Sequence, residues 1–299
     1  MKFSRTKELS AFLHENNIFT NIQSIREICL GGSSYNFYVK TAQGQFFLKL
    51  ISAEREREVF LHLKKLLQQL DFLYPLAQEN FENYRMLAMP YIFGHKLRYG
   101  DCTPELFAHL RESYLTMQAA VSEPQVVKPQ QNMPQMIAKI SSFLSKDNSL
   151  SARLLDKYFW QKIRPELVCL EKSTHYIHGD FTSNNIMVDR DKYPHLFDFE
   201  QIRYGYEIED VCYLFLQLSG FRGLWGRLSR FEKLQQMSAP LFDEPIRQEY
   251  WLYGVQLFYL NNLYRRLNNT KKRKSFRKSM CLLWSLRQYF RLSRYLHTV

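Results

Sequence analysis

Apolar residues in the first ninety positions form short runs and then recur at helical spacing. Three apolar runs over residues 27–51 are separated by Gly31-Gly32 and by Ala42-Gln43-Gly44. This pattern is typical of strands joined by tight turns. Over residues 54–70 the apolar positions follow a period of about 3.6, which predicts a helix. Residues 86–92 predict a further strand that leaves the sheet at Pro90, because proline has no N–H to donate to the ladder.

The remainder of the chain is dominated by helical spacing from residue 104 onward. The exception is the stretch 176–200, where short apolar runs flank polar turns. This order of elements predicts an α+β fold with two lobes. We expect a small antiparallel-sheet N-lobe over residues 1–92 and a larger, mainly helical C-lobe over residues 93–299.

Charge is concentrated at the C-terminal end of the chain. The 299 residues carry a net charge of +12, and the last 50 residues hold 11 Lys and Arg with no acidic residue. The rest of the chain is therefore close to neutral. Five widely spaced cysteines without a C-x-x-C pair argue against a disulfide framework and a zinc site.

No apolar run in the sequence is long enough to cross a bilayer as a helix, which needs about 20 residues. The N-terminal residues also have no apolar core of a signal peptide. We expect a cytoplasmic protein, with peripheral attachment to the inner membrane face as the alternative.

A group of polar residues, each preceded by a strand-like run, carries the candidate chemistry. His178-Gly179-Asp180 is followed by Asn185, and Asp198-Phe199-Glu200 comes after a second apolar run. Phosphoryl transfer needs a carboxylate to orient the attacking hydroxyl, oxygen ligands for Mg²⁺ and cations on the phosphates. Asp180, Asn185 and Asp198 can supply the first two of these.

This pattern resembles the aminoglycoside phosphotransferase and choline kinase family, which is related to the protein kinases. The resemblance implies a protein-kinase-like fold and transfer of the γ-phosphate of Mg·ATP to a hydroxyl group. It implies that Asp180 is the catalytic base and that Asn185 and Asp198 bind Mg²⁺. It also implies that His178 braces the loop and that Asp210 is a buried hydrogen-bond acceptor.

The resemblance extends to the N-terminal half. Residues 30–38 resemble a phosphate-binding loop, and Lys49 matches the lysine that contacts the α- and β-phosphates. Glu56 best matches the glutamate that holds this lysine, with Glu58 as the alternative. Residues 89–92 resemble the hinge whose backbone pairs with adenine. The nucleotide-binding residues implied are Gly31, Gly32, Ser33, Ser34, Lys49, Glu56, Met89 and Tyr91.

Three departures from the protein-kinase pattern favour a small-molecule acceptor. Gly179 stands where protein kinases carry an arginine that binds an activation-loop phosphate. Leu241 follows Ala239-Pro240 where a glutamate would complete the A-P-E motif, and only 11 residues separate Asp198 from Asp210. These features disfavour a regulated protein kinase.

The sequence leaves the acceptor open. Residues 177–200 also resemble a branch of the family associated with cell-surface polysaccharide or lipopolysaccharide assembly, which implies a sugar or glycolipid. The alternatives are a choline- or aminoglycoside-type kinase with a cationic acceptor, and a nucleotide-binding pseudokinase scaffold. Acidic residues near the motifs keep a cationic acceptor open: Glu200, Glu207, Glu209, Asp243 and Glu244.

The basic C-terminal end has alternative interpretations. Over residues 280–297 Arg287, Arg291 and Arg294 share one helical stripe beside an apolar side. Such a helix can pack its apolar side on the C-lobe, or it can lie on an anionic membrane surface. Residues 271–278 are dense enough in Lys and Arg for a phosphate-rich partner, but nucleic acid is disfavoured because no recognition fold accompanies the charge.

Overall fold

The chain forms two compact units in this computed structural model, which describes residues 2–28, 35–52, 57–121, 133–146, 153, 157, 175–221, 226–242, 246–268 and 287–296. The first unit comprises residues 1–93 and 119–126, and the second comprises residues 94–118 and 127–299. The lobes expected over residues 1–92 and 93–299 remain our proposal for the domain division.

The first unit holds an antiparallel five-stranded sheet in the order β1-β2-β3-β5-β4. Its helices are α1 (Lys2–Glu15) and α2 (Arg57–Gln69), and its strands are β1 (Ser24–Ile28), β2 (Tyr35–Lys40), β3 (Gln45–Ser52), β4 (Asn80–Phe81) and β5 (Tyr84–Pro90). The second and third predicted strands, the helix and the strand before Pro90 are thus confirmed, and β5 ends at Pro90, where the donor is missing. Strand β1 lies at Ser24–Ile28, ahead of the run predicted to begin at residue 27, and residues 29 and 30 lie outside the described residues.

The core of the first unit explains why these elements pair. Phe37 on β2 and Leu48 on β3 are fully buried, since one face of each strand is apolar. Leu9 and Leu13, one helical turn apart on α1, are also fully buried in the same cluster. Helix α1 was not among the predicted elements, because most of its residues are polar.

The second unit is mainly helical around two small sheets. The sheets have the orders β6-β8-β9 and β10-β7. The strands are β6 (Gly94–Lys96), β7 (His175–Ile177), β8 (Ile186–Asp189), β9 (Pro194–Leu196) and β10 (Arg203–Gly205). The helices are α3 (Pro104–Ala120), α4 (Met133–Lys146), α5 (Glu207–Leu218), α6 (Leu228–Met237), α7 (Gln248–Asn268) and α8 (residues 287–296). The predicted α+β class is confirmed.

Helix α5 is the central helix of the second unit. Eight of its 12 residues are buried, including Asp210 among apolar neighbours such as Val211 and Leu214. A helix that is apolar on nearly all sides must be enclosed by other elements, and α5 packs along α7. The apolar run beginning at Val211 therefore forms a core helix, and its polar residues are held in a rigid frame.

The apolar side of the basic C-terminal segment is buried. On α8 Tyr289, Leu292 and Leu296 are at most 4% exposed, and the Tyr289 ring lies 5.7 Å from that of Tyr259 on α7. Arg287, Arg291 and Arg294 are exposed. The apolar side of α8 is therefore packed against the protein. The basic residues 271–278 lie outside the described residues. In the described part of the chain, no helix is long and apolar enough to span a membrane.

Gly94 provides a test of how β6 is held against β8. A Cβ atom at residue 94 would lie 2.0 Å from the carbonyl oxygen of Val188, whereas a Cβ at Gly100 would meet nothing within 4 Å. We expect Gly94→Ala to lower the free energy of unfolding by about 1–3 kcal/mol through overpacking. Gly100→Ala is the matched control and should change it by less than about 0.5 kcal/mol. Urea unfolding followed by circular dichroism measures both, and equal stabilities would contradict this account of the β6–β8 contact.

Candidate active site

The loop that follows β7 is held at its start by Asp210 of helix α5. Asp210 is 2% exposed, and its carboxylate accepts the backbone N–H groups of His178 at 2.7 Å and Gly179 at 3.0 Å. The hydroxyl of Tyr114 on α3 donates a third bond at 3.0 Å. Burial raises the pKa of Tyr114, so this group stays a donor. The predicted role of Asp210 as a buried acceptor is confirmed.

The same helix also holds the loop near its far end. The side-chain oxygen of Gln217 accepts the backbone N–H of Ser183 at 3.1 Å. Asp210 and Gln217 are seven residues apart, which is two turns, so they project from one face of α5. Gln217 was not a predicted site residue, because a single glutamine in an apolar helix has no distinctive spacing.

His178 joins this loop to the segment that carries Asp198. Its Nε2 lies 3.0 Å from the carbonyl oxygen of Phe197, and the N–H of Asp180 donates to its Nδ1 at 3.4 Å. A carbonyl can only accept and an N–H can only donate, so in these contacts Nε2 is the donor and Nδ1 the acceptor. His178 is fully buried and has no exposed nitrogen. The arrangement is that of a bracing histidine.

Gly179 allows the loop to turn between His178 and Asp180. Its φ is +74°, a conformation that glycine adopts at little cost. A Cβ at this position would also lie 2.1 Å from the carbonyl oxygen of Gln201. An arginine, which protein kinases carry here, could not occupy this place without moving the backbone.

Asn185 is turned toward Asp180 by two hydrogen bonds. Its Nδ2 donates to the backbone oxygen of Asp180 at 2.9 Å and to the Oδ2 of the same residue at 2.9 Å. Both partners are acceptors, which fixes the amide nitrogen on that side. The Oδ1 of Asn185 is therefore the atom left to bind a metal ion.

Asp198 is placed beside Asn185 through the backbone. The N–H of Phe197 donates to the carbonyl oxygen of Asn185 at 3.1 Å. Asp198 itself adopts a left-handed conformation with φ 64° and ψ 56°, which is uncommon for a residue with a side chain. Aspartate is among the residues that tolerate this conformation best. One carboxylate and one amide oxygen form the kind of hard-ligand pair that Mg²⁺ binds together with phosphates and water.

Two of the acidic residues near the motifs are neutralised by arginines. Arg111 pairs with Glu207 at 3.0 Å, and Arg203 pairs with Glu209 at 2.7 Å. Both arginines are buried, which strengthens the electrostatic interaction relative to an exposed pair. Glu200 is half-buried, and Asp243 and Glu244 lie outside the described residues.

The predicted nucleotide-binding residues that are described lie on the sheet of the first unit. Lys49 is 8% exposed on β3 and lies directly opposite Asn36 on β2. Met89 is 8% exposed on β5, and the backbone N–H of Tyr91 donates to the carbonyl of Gln45 at 2.9 Å. Tyr91 can therefore offer adenine its carbonyl oxygen but not its N–H. Gly31, Gly32, Ser33, Ser34 and Glu56 lie outside the described residues.

Asn36 was not predicted as a candidate. It is 5% exposed, and its Oδ1 has no hydrogen-bond partner among the described residues. Residues directly opposite on paired antiparallel strands have their side chains on the same face. The buried amide oxygen of Asn36 therefore lies beside the Lys49 side chain, and only the strand register reveals this.

A family model described as the phosphotransferase enzyme family matches residues 24–230, which contain both the lysine strand and the His178–Asp198 region. The chain belongs to this family. It is accordingly an enzyme, a phosphotransferase. A search of curated proteins finds no significant match.

Solved structures of phosphotransferases and kinases share the fold of this phosphotransferase. Spectinomycin phosphotransferase, in complex with ADP and spectinomycin, has a TM-score of 0.60 and 13% identity, covering 95% of this chain and 93% of that one. Choline kinase LicA from Streptococcus pneumoniae has a TM-score of 0.56 and 14% identity, covering 98% and 100%. Choline kinase from Cryptosporidium parvum has a TM-score of 0.64 and 12% identity, covering 98% and 96%. The predicted protein-kinase-like fold is confirmed.

Replacing the loop-anchoring carboxylate tests its contribution. Asp210→Asn places an amide nitrogen next to two backbone N–H donors, so at least one of them loses its acceptor. We expect the free energy of unfolding to fall by about 2 kcal/mol. Asp191→Asn, at an exposed position in the β8–β9 turn, is the control and should leave it unchanged. Denaturant titration at neutral pH checks this, and wild-type stability of Asp210→Asn would refute the anchoring role.

The pH dependence of stability should also report on Asp210. Burial raises the pKa of Asp210 from its ordinary value of 3.8 to about 6, although His178, Arg203 and the Tyr114 hydroxyl favour the carboxylate. At a pH between these two values, the Asp210 carboxyl is protonated in the folded protein and ionised in the unfolded chain. The contribution of this group to stability therefore falls as pH rises through this window.

The measurement compares urea unfolding of wild type and Asp210→Asn from about pH 4 to 7.5. We expect the stability advantage of wild type to narrow with rising pH by roughly 2 kcal/mol. A stability advantage of wild type that grows with pH would show that the hydrogen-bond donors lower the pKa of Asp210 more than burial raises it.

Proposed function

We propose that this phosphotransferase moves the γ-phosphate of Mg·ATP to a hydroxyl of a small molecule, with Asp180 as the catalytic base. The observation that carries the proposal is the joint placement of Asp180, Asn185 and the segment before Asp198. Asn185 donates to Asp180 at 2.9 Å, and Phe197 donates to Asn185 at 3.1 Å. Asp180, Asn185 and Phe197, the residue before Asp198, thus belong to one hydrogen-bonded group, which supports a base and metal ligands that lie close together, as phosphoryl transfer requires.

In the proposed reaction the acceptor oxygen forms a bond to the γ-phosphorus, and the bond from that phosphorus to the β,γ-bridging oxygen breaks. The hydroxyl proton passes to the carboxylate of Asp180, and ADP leaves with the bridging oxygen. Asp180 orients the hydroxyl before it accepts the proton. Its own orientation is maintained by Asn185 and by the backbone contact to His178, so little rearrangement is needed during the reaction.

Asn185 Oδ1 and Asp198 would hold Mg²⁺, which neutralises charge on the phosphates when it is bound. ATP as donor is supported by the family and by the ADP complex of the spectinomycin phosphotransferase. Lys49 would bind the α- and β-phosphates, with Glu56 as its partner. Gly31, Gly32, Ser33 and Ser34 would approach the phosphates, and Met89 and Tyr91 would border adenine.

The acceptor that we propose is a sugar or a glycolipid. The alternative is a cationic acceptor of the choline or aminoglycoside type, as in the names of the structural relatives. A cationic acceptor is best bound by unpaired carboxylates, but Glu207 and Glu209 are each held by an arginine at 3.0 Å or less. This pairing favours a sugar or a glycolipid over a cationic acceptor.

A pseudokinase scaffold is the other alternative. Such a protein would have no need of a base, two metal-binding oxygens and a phosphate-binding lysine together. Lys49, Asp180, Asn185 and Asp198 are all present, and the loop between Asp180 and Asn185 is closed by two hydrogen bonds. These features support an active enzyme.

The proposal is tested by transfer of labelled γ-phosphate from Mg·ATP to a panel of sugars, choline, aminoglycosides and a glycolipid fraction. We expect acceptor-dependent transfer by wild type and a loss of about 10²–10⁴-fold in Asp180→Asn, since the base is removed. Asp191→Asn is the control and should transfer at the wild-type rate.

Equal transfer by Asp180→Asn and wild type would overturn the assignment of Asp180. Binding of Mg·ATP by wild type without transfer to any acceptor, or to water, would favour the pseudokinase. Absence of nucleotide binding would overturn the proposed function as a whole.

A further inference from the structure

A lysine outside the recognised motifs lies against the loop that carries Asp180. Lys96 is the last residue of β6, and strand pairing places it opposite Met187 of β8. The next backbone N–H, that of Leu97, donates to the carbonyl of Ile186 at 3.0 Å. The ammonium group of Lys96 lies 3.5 Å from Oδ1 of Asn184. The strand register therefore fixes this cation beside the segment between Asp180 and Asn185.

Among the described residues, no carboxylate forms an ion pair with Lys96. Asn184 Oδ1 is its hydrogen-bond partner among the described residues, and the Lys96 side chain is exposed. Arg111 and Arg203 differ, because each forms a buried ion pair with a glutamate of α5. The segment from Asp180 to Asn185 contains no Lys or Arg of its own. Lys96 is thus a cation that remains available for a ligand next to this loop.

The position of Asn184 indicates on which side of the loop the ammonium group of Lys96 lies. Residues 183–185 form one turn of 3₁₀ helix, in which successive side chains are about 120° apart. The side chain of Asn185 turns to Asp180, whereas that of Asn184 turns to Lys96. Lys96 therefore approaches the loop from a different direction than the residue proposed to bind the metal.

We propose that Lys96, assisted by the amide of Asn184, binds an anionic group of the acceptor, either a carboxylate or a phosphate. This inference rests on the proposed function and narrows the acceptor to an acidic sugar or a phosphorylated sugar or glycolipid. An ammonium group can give up its weak, long contact to a neutral amide oxygen for a charge-assisted bond to an oxyanion. The same positive charge repels a cationic acceptor near Asp180.

The experiment measures binding of three matched probes: glucose, glucuronate and glucose 6-phosphate. Each is titrated with and without a non-hydrolysable ATP analogue and Mg²⁺, by ligand-observed NMR at low and at physiological ionic strength. The proteins are wild type, Lys96→Met, Lys96→Arg and Lys233→Met. Lys233 is an exposed lysine on α6, so its substitution removes the same net charge away from the loop.

We expect wild type to bind the two anionic probes roughly fivefold more tightly than glucose, as an exposed ion pair allows. The preference should disappear in Lys96→Met, persist in Lys96→Arg and Lys233→Met, and weaken with salt. Mg·ATP affinity should be equal in all four proteins.

Equal binding of glucose and the anionic probes by wild type would overturn the inference. So would a preference that survives in Lys96→Met, or weaker Mg·ATP binding in that variant, since the oxyanion would then belong to the nucleotide. Failure of wild type to bind Mg·ATP would overturn the proposed function instead, and the titrations without nucleotide would still decide the role of Lys96.

Discussion

The candidate site depends on the Asp210 carboxylate, which is buried inside the second unit. Removing a carboxylate from water is energetically unfavourable. A carboxylate at this depth is tolerated only where donors replace the lost water. Here two of those donors are backbone N–H groups of His178 and Gly179. The loop must therefore keep its conformation for the helix to keep its packing, and the apolar surroundings of α5 in turn hold the loop.

This dependence extends from the loop to the segment with Asp198 through hydrogen bonds between described residues. His178 contacts the carbonyl of Phe197, and the N–H of Phe197 returns a bond to Asn185. Gln217 fixes the loop a second time near Ser183. Side chains supported in this way are restrained at both ends of the loop, which suits a site that must hold a base and metal ligands at defined positions. The strain at Asp198 is stored within this supported region.

The candidate site could be predicted from the sequence where chemistry requires fixed residue types at fixed spacing. Asp180, Asn185 and Asp198 were singled out because each follows an apolar run and because their spacing is specific, and their roles in catalysis and metal binding stay predictions. Strands β6 and β10 have only three residues each and contain no aliphatic residue, so no apolar run marked them and they were not predicted. Helix α1 was missed because most of its residues are polar, although Leu9, Phe12 and Leu13 pack in the core. Gln217 and Lys96 act through contacts distant in sequence, which no local pattern encodes.

Local charge near the loop differs from what the overall composition indicates. The net charge of +12 resides largely in the C-terminal end, where the apolar side of α8 is buried and the arginines face outward. Exposed charges more than about 10 Å from a ligand are largely screened at physiological salt. An acceptor therefore responds mainly to the charges nearest to it. Since Glu207 and Glu209 are paired with arginines, an acceptor that carries negative charge would meet Lys96 without opposition from these two carboxylates of α5.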